Sequence, residues 1–266
     1  NRFNGGFGVK KLIKRLKFSR WAFIFVLLSF VVSIGYVTVM LCITPGGENA
    51  VSYSGRHRSD YLLMLLQCCL GVLALFLPSF LSHRFKIRVP SGMLIMYAVF
   101  LYCAIFLGEV RSFYYAVPFW DSILHFFSGG MLGCLGFSVV RILNNDKQVP
   151  VTLSPAFVAF FAFCFAIMIG AFWEIYEFTG DGLFGLNMQK YMLENGTQLV
   201  GRAALGDTMK DIIVDVCGAG LACIIGYFSI KLHKRWFNDL MLEVELSATA
   251  GKNAEKKENI GSNKAE

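Results

Sequence analysis

The sequence predicts an all-α, polytopic membrane protein with six transmembrane helices and both termini in the cytoplasm. Three observations predict it. Of the 266 residues, 56% are hydrophobic and only 16% are charged, whereas soluble domains carry about 25% charged residues. Six segments are apolar over the length that a bilayer core of about 30 Å demands, roughly 20 residues per helix. Lys and Arg are unevenly shared between the two sets of loops.

The first segment, Trp21–Ile43, follows the basic run "KKLIKRLKFSR". Its apolar stretch is too long for a signal-peptide core, and no small-x-small cleavage site follows, so it reads as an anchor. The remaining segments are Tyr61–Leu81, Gly92–Gly108, Ser122–Val140, Leu153–Tyr176 and Thr208–Ile230. This divides the chain into a basic N-terminal segment, 1–20, a six-helix membrane domain, 21–231, and a polar tail, 232–266. Val9–Phe18 alternates basic and apolar residues in the manner of a helix lying on an anionic leaflet. The tail ends in "GKNAEKKENIGSNKAE", a composition that does not bury enough apolar surface to fold.

Charge distribution sets the orientation. Seven Lys and Arg fall in the first 20 residues, three in "SHRFKIR", two between the fourth and fifth segments and seven from Lys231 onward. The opposite side carries only Arg56, Arg58, Arg111, Lys190 and Arg202, with Lys210 inside the sixth segment. The positive-inside rule puts both termini in the cytoplasm. The net charge of +7 follows from these flanks, so it does not argue for nucleic acid as a partner. All eight cysteines lie in apolar segments without a CxxC pair, as small buried hydrophobes do.

Acidic residues collect at the outer ends of the last three segments. "FWDSILHFFSGG" brings Asp121 and His125, "AFWEIYEF" brings Glu174 and Glu177, and "GDTMKDIIVDVCGAG" brings Asp207, Asp211 and Asp215. Offsets of three and four residues keep each group on one helical face. A carboxylate at the centre of a membrane helix costs about 2.5–3.5 kcal/mol on insertion scales, so such residues mark function. Asp121 and Asp207 begin their segments and double as N-caps. Glu174 and Glu177 are expected at a helix C-terminus, where the dipole opposes them and capping does not explain them.

Six carboxylates do not all ionise in one low-dielectric pocket without protons or cations to compensate. Carboxylate oxygens with one imidazole suit a divalent ion such as Mg, Mn, Ca, Zn or Fe. The expected ligands are His125, Glu174, Glu177, Asp211 and Asp215, with Asp211 and Glu174 also catalytic, Asp121 and Asp207 in support, and Lys210 or Arg202 against a phosphate. Gly129 and Gly133 on the fourth segment and Gly218 and Gly220 on the sixth predict close contact between those two helices.

At these motifs the chain resembles the YjdF-like family of bacterial inner-membrane proteins, on Trp120, Asp121, His125, Gly129, Glu174, Glu177, Asp207, Asp211, Asp215 and Gly218. It more distantly resembles VanZ-like proteins of the cell envelope. Glu177 stands where that pattern has Gln, and Asp215 where it has Asn. The resemblance implies a multi-pass protein of the bacterial inner membrane. Three functions are compatible with these readings: a metal-dependent enzyme acting on a lipid phosphate or envelope precursor, a proton- or cation-coupled transporter, and a non-catalytic envelope or sensor protein. The bilayer is the one partner common to all three.

Overall fold

The computed structural model describes residues 5–45, 52, 55–144, 153–193, 197–233, 241 and 243–244, with side-chain detail beginning at Arg20. The helices are α1 (Gly5–Ile43), α2 (Arg58–Phe85), α3 (Ser91–Leu101), a one-turn α4 (Phe113–Ala116), α5 (Trp120–Asn144), α6 (Pro155–Phe184) and α7 (Arg202–Lys231). α3 continues as a π-helix over Tyr102–Val110. Six of these units, α3 with its π extension counted as one, are long and apolar enough to cross a membrane among the described residues. Their outer surfaces carry exposed Phe25, Val32, Phe80, Phe160 and Phe172, as helices bathed in hydrocarbon do.

The helices form two groups of three. In the first, α1, α2 and α3 close around Val26, Phe30, Leu75, Ala98 and Leu101 near one end, and α1 and α2 close around Val37, Met40, Tyr61 and Met64 near the other. In the second, α5, α6 and α7 all pack on one another. Here glycine permits backbone contact. A Cβ on Gly218 would strike the Phe126 carbonyl, and one on Gly129 would lie 2.6 Å from the Asp215 carbonyl. The close contact expected between the fourth and sixth segments is therefore present. Gly136 does the same towards Ala162 of α6.

Two helix boundaries depart from the sequence reading. α6 runs on to Phe184 instead of ending near Tyr176. The "TGDG" stretch looked like a loop, but Asp181 accepts the amide hydrogens of Met188 at 2.7 Å and Gln189 at 3.0 Å and ties the following turn to the helix. Gly185, at φ +64°, then ends the helix with a left-handed cap. Glu174 and Glu177 are therefore inside α6, and the expectation that they oppose its C-terminal dipole is corrected. α7 likewise begins at Arg202, after Gly201 at φ 62° and ψ −126°. Asp207 therefore lies in its second turn and is no N-cap.

The C-terminal segment is not uniformly loose. Ile87–Arg88 pairs antiparallel with Glu243–Val244, and Met241 is buried against Phe137, Ala162 and Cys223. The rest of 232–266 lies almost wholly outside the described residues, and α1 carries the basic N-terminal segment from Gly5 as one continuous helix.

Candidate functional site

The site builds up around His125 of α5, which is 7% exposed. Its Nδ1 lies 3.3 Å from Asp215 Oδ2 of α7. Ser128 Oγ, one turn along α5, lies 3.2 Å from Asp215 Oδ1 and 2.9 Å from the His125 carbonyl, two acceptors that share its one hydroxyl hydrogen. Gly170 of α6 makes room for that carboxylate: a Cβ there would sit 2.6 Å from Asp215 Oδ2. In the His125 tautomer with its hydrogen on Nδ1, that nitrogen donates to Asp215 and the Nε2 lone pair faces the other way. This is the arrangement in which a carboxylate fixes the tautomer and orientation of a metal-binding imidazole.

Nε2 faces a group of acids. Asp121 Oδ1 is 3.8 Å away and Glu174 Oε1 3.9 Å. Asp121, His125 and Asp211 each offer a ligand atom, and the three atoms lie within 4.8 Å of one another. Asp211 and Glu174 are each only 4% exposed, yet Asp211 Oδ1 and Glu174 Oε1 have no hydrogen-bond partner among the described residues. Leaving a buried polar group unpaired costs about 1–3 kcal/mol, and more for a charged one. Two such oxygens, one on each of two helices that face His125, ask for a proton or a cation.

Exposure grades along the helices. Asp211 and Asp215 are buried, whereas the Asp121 and Asp207 side chains are 25% and 24% exposed. Two turns of α7, about 12 Å of rise, thus separate the mouth from the floor of a polar funnel. Lys210 pairs with Asp207 at 3.8 Å at the mouth. Arg202, exposed at the start of α7, has no ion pair among the described residues. Glu177 is half-buried one turn from Glu174 and lies outside the Asp121–His125–Asp211 group. The sequence thus gathers the right helices, but Asp121 enters the group of ligand atoms and Asp215 stands behind the imidazole.

A second polar cluster escaped the sequence reading. Glu109, 7% exposed in the π-helix, meets Lys190 of the α6–α7 loop at 3.5 Å. The Lys190 ammonium also lies over the rings of Tyr114 and Tyr115, 4.8 and 5.2 Å from their centroids. Burial alone would lower the Lys190 pKa, but the Glu109 carboxylate, the Tyr115 hydroxyl and Asp121 outweigh it, and the net direction is up. Burial pushes the Tyr114 hydroxyl well up, with Asp121 and Glu109 adding to it. The signal that could have found this pair was Glu109 itself, an acid at the end of an apolar segment. Its partner, 81 residues away, has no sequence signature.

Fold and site together define a multi-pass membrane protein with an Asp–His–Asp group, its His125 and Asp211 buried, at one end of a three-helix bundle. The chain belongs to the family described as predicted membrane protein (DUF2238), whose pattern matches residues 48–232. A similar curated protein is an "Uncharacterized protein" of Thermotoga maritima, 27% identical over 139 residues, which are 52% of this chain and 62% of that protein. The alignment thus covers less than two thirds of the relative's length. No solved structure matches the chain.

Proposed function

We propose that the α5–α7 cluster binds a divalent cation through Asp121, His125 and Asp211, and that the protein is a metal-dependent enzyme acting on a lipid phosphate or envelope precursor at the outer leaflet. One observation carries the reading: buried, unpartnered oxygens of Asp211 and Glu174 adjoin an imidazole whose far nitrogen is already fixed by Asp215. A bound divalent ion supplies charge stabilisation for a phosphoryl oxygen and lowers the pKa of water. Glu174 is the base for that water. Water adds to phosphorus, the phosphorus–oxygen ester bond breaks, and the leaving alcohol takes a proton. Lys210 at the mouth contacts the phosphate. The family match agrees with the YjdF-like resemblance and with a membrane protein, and the bacterial inner membrane as its location is part of the proposal. It does not extend to VanZ-like proteins, so no substrate is inferred from them.

The test is phosphate release from short-chain phosphatidic acid in detergent micelles, with Mg, Mn or Zn added. The reading expects release that depends on the cation and is abolished in Asp211→Asn and Glu174→Gln, with their thermal stability retained. Cation binding without turnover on any phosphate lipid would remove the enzyme reading and favour a structural or transport site.

A further inference from the structure

A cleft of about 550 Å³ opens between α1, the segment just before α2 and the π-helix end, with Val32, Tyr36, Phe106, Arg56, Arg111 and Ser112 among its walls. Its volume falls within the range of about 300–1,000 Å³ usual for small-molecule sites. Two features of the lining stand out. The first is positive charge with no acidic residue among the described lining residues. Arg56 donates to the Val110 carbonyl at 3.3 Å, to the Ser112 hydroxyl and to Met64 Sδ at 3.4 Å, all neutral acceptors. Arg111 has no ion pair or hydrogen-bonded side-chain partner among the described residues. The second is an apolar wall that continues onto the membrane surface: Val32 and Tyr36 of α1 are 68% and 45% exposed.

Arg56, bonded to neutral acceptors, and the exposed Arg111 present two guanidinium groups to one cleft, where a single anion would pair with both. Carboxylate and phosphate are the groups that their planar N–H forks bind bidentately. A wall that runs out into hydrocarbon matches an acyl or prenyl chain attached to that anion. We infer that this cleft is a binding site for the phosphate headgroup of a membrane lipid, gripped by Arg56 and Arg111, with its chain along Val32 and Tyr36. The site shares no residue with the acidic cluster, and its residues belong to α1, the segment before α2, and the end of the π-helix with the residues that follow it. It does not rest on the enzyme reading.

The test is lipid binding to the full chain in detergent, followed by native mass spectrometry, with phosphatidylglycerol as the anionic probe. Phosphatidylethanolamine of the same chains and inorganic phosphate are the comparisons. Losing one charge-assisted contact is expected to weaken binding about tenfold or more. The inference expects tighter binding of phosphatidylglycerol than of either comparison, with that loss in Arg111→Gln. Arg111 is exposed and unbonded, so this variant is expected to fold. Arg88→Gln, an exposed change on the short strand after α2 and outside the cleft lining, is expected to bind as wild type does. Equal binding of both lipids, or equal weakening in Arg88→Gln and Arg111→Gln, would overturn the site in favour of general surface attraction. Inorganic phosphate bound as tightly as the lipid would overturn the lipid assignment.

Discussion

The two three-helix groups come from sequence of the same apolar kind and fill their centres in opposite ways. α1–α3 use large side chains: Phe30, Val37 and Tyr61 are completely buried. α5–α7 use Gly129, Gly136, Gly170 and Gly218, bring their backbones together, and spend the remaining space on His125, Glu174, Asp211 and Asp215. The difference teaches how a membrane bundle holds charge. Where backbones touch, the helices are fixed by contacts that do not flex, and a buried carboxylate keeps its position without a large side chain beside it. Where side chains interdigitate, the same closeness is shared among groups that repack.

The comparison can be broken most forcefully from its apolar side. Phe30→Ala empties the centre of α1–α3, and truncating a buried Phe costs about 3–5 kcal/mol. Thermal unfolding in detergent should fall accordingly, while affinity for a divalent cation stays within about twofold because the two groups share few contacts. A parallel loss of cation affinity would show that the groups are one unit.

Next comes backbone contact. Gly218→Ala drives a methyl group into the Phe126 carbonyl and is expected to cost about 2–3 kcal/mol, the upper part of the overpacking range. Gly35→Ala on α1 meets nothing within 4 Å and should leave the unfolding temperature level or slightly raised, by the roughly 1 kcal/mol that Ala gains over Gly in a helix. Similar losses in both variants would contradict the contrast between the two packings.

A finer probe separates position from charge. Gly170→Ala removes no ligand but presses on Asp215 Oδ2. Disturbing the partner that orients a metal-binding His typically costs 10–100-fold in affinity. Titration with Mn or Zn should show that loss, with thermal stability nearly unchanged. An unchanged affinity would mean that Asp215 does not govern His125.

The smallest effect belongs to Lys190. Its folded pKa lies above the ordinary 10.5, so its pairing with Glu109 stabilises the fold fully below pH about 10.5 and is lost as pH rises through the folded value. Unfolding temperature measured from pH 9 to 12 should decline more steeply in wild type than in Lys190→Met. Parallel curves would show that the pair contributes nothing.

Much of this was legible in the sequence because hydrocarbon is an exacting solvent. A run of apolar residues long enough to cross the bilayer has few other fates, and an acid within it announces itself. His125, Asp211 and Asp215 could be placed on facing helices from their spacing alone. Helix ends were less legible. α6 passes through Gly180 and Gly182, and α7 through Gly206, because Asp181 and the turn after it supply contacts that local propensity does not contain. Roles within the site were least legible. Whether Asp121 or Asp215 meets Nε2 depends on a helix rotation that only packing, through Gly129, Gly170 and Gly218, decides.

The most direct measurement is the divalent-metal content of the detergent-purified protein by mass spectrometry, wild type beside Asp211→Asn and Lys210→Gln, after incubation with Mn or Zn and removal of free ion. The account predicts one equivalent in wild type and in Lys210→Gln, and none in Asp211→Asn. No metal in folded wild type, or the same amount in Asp211→Asn, would contradict it.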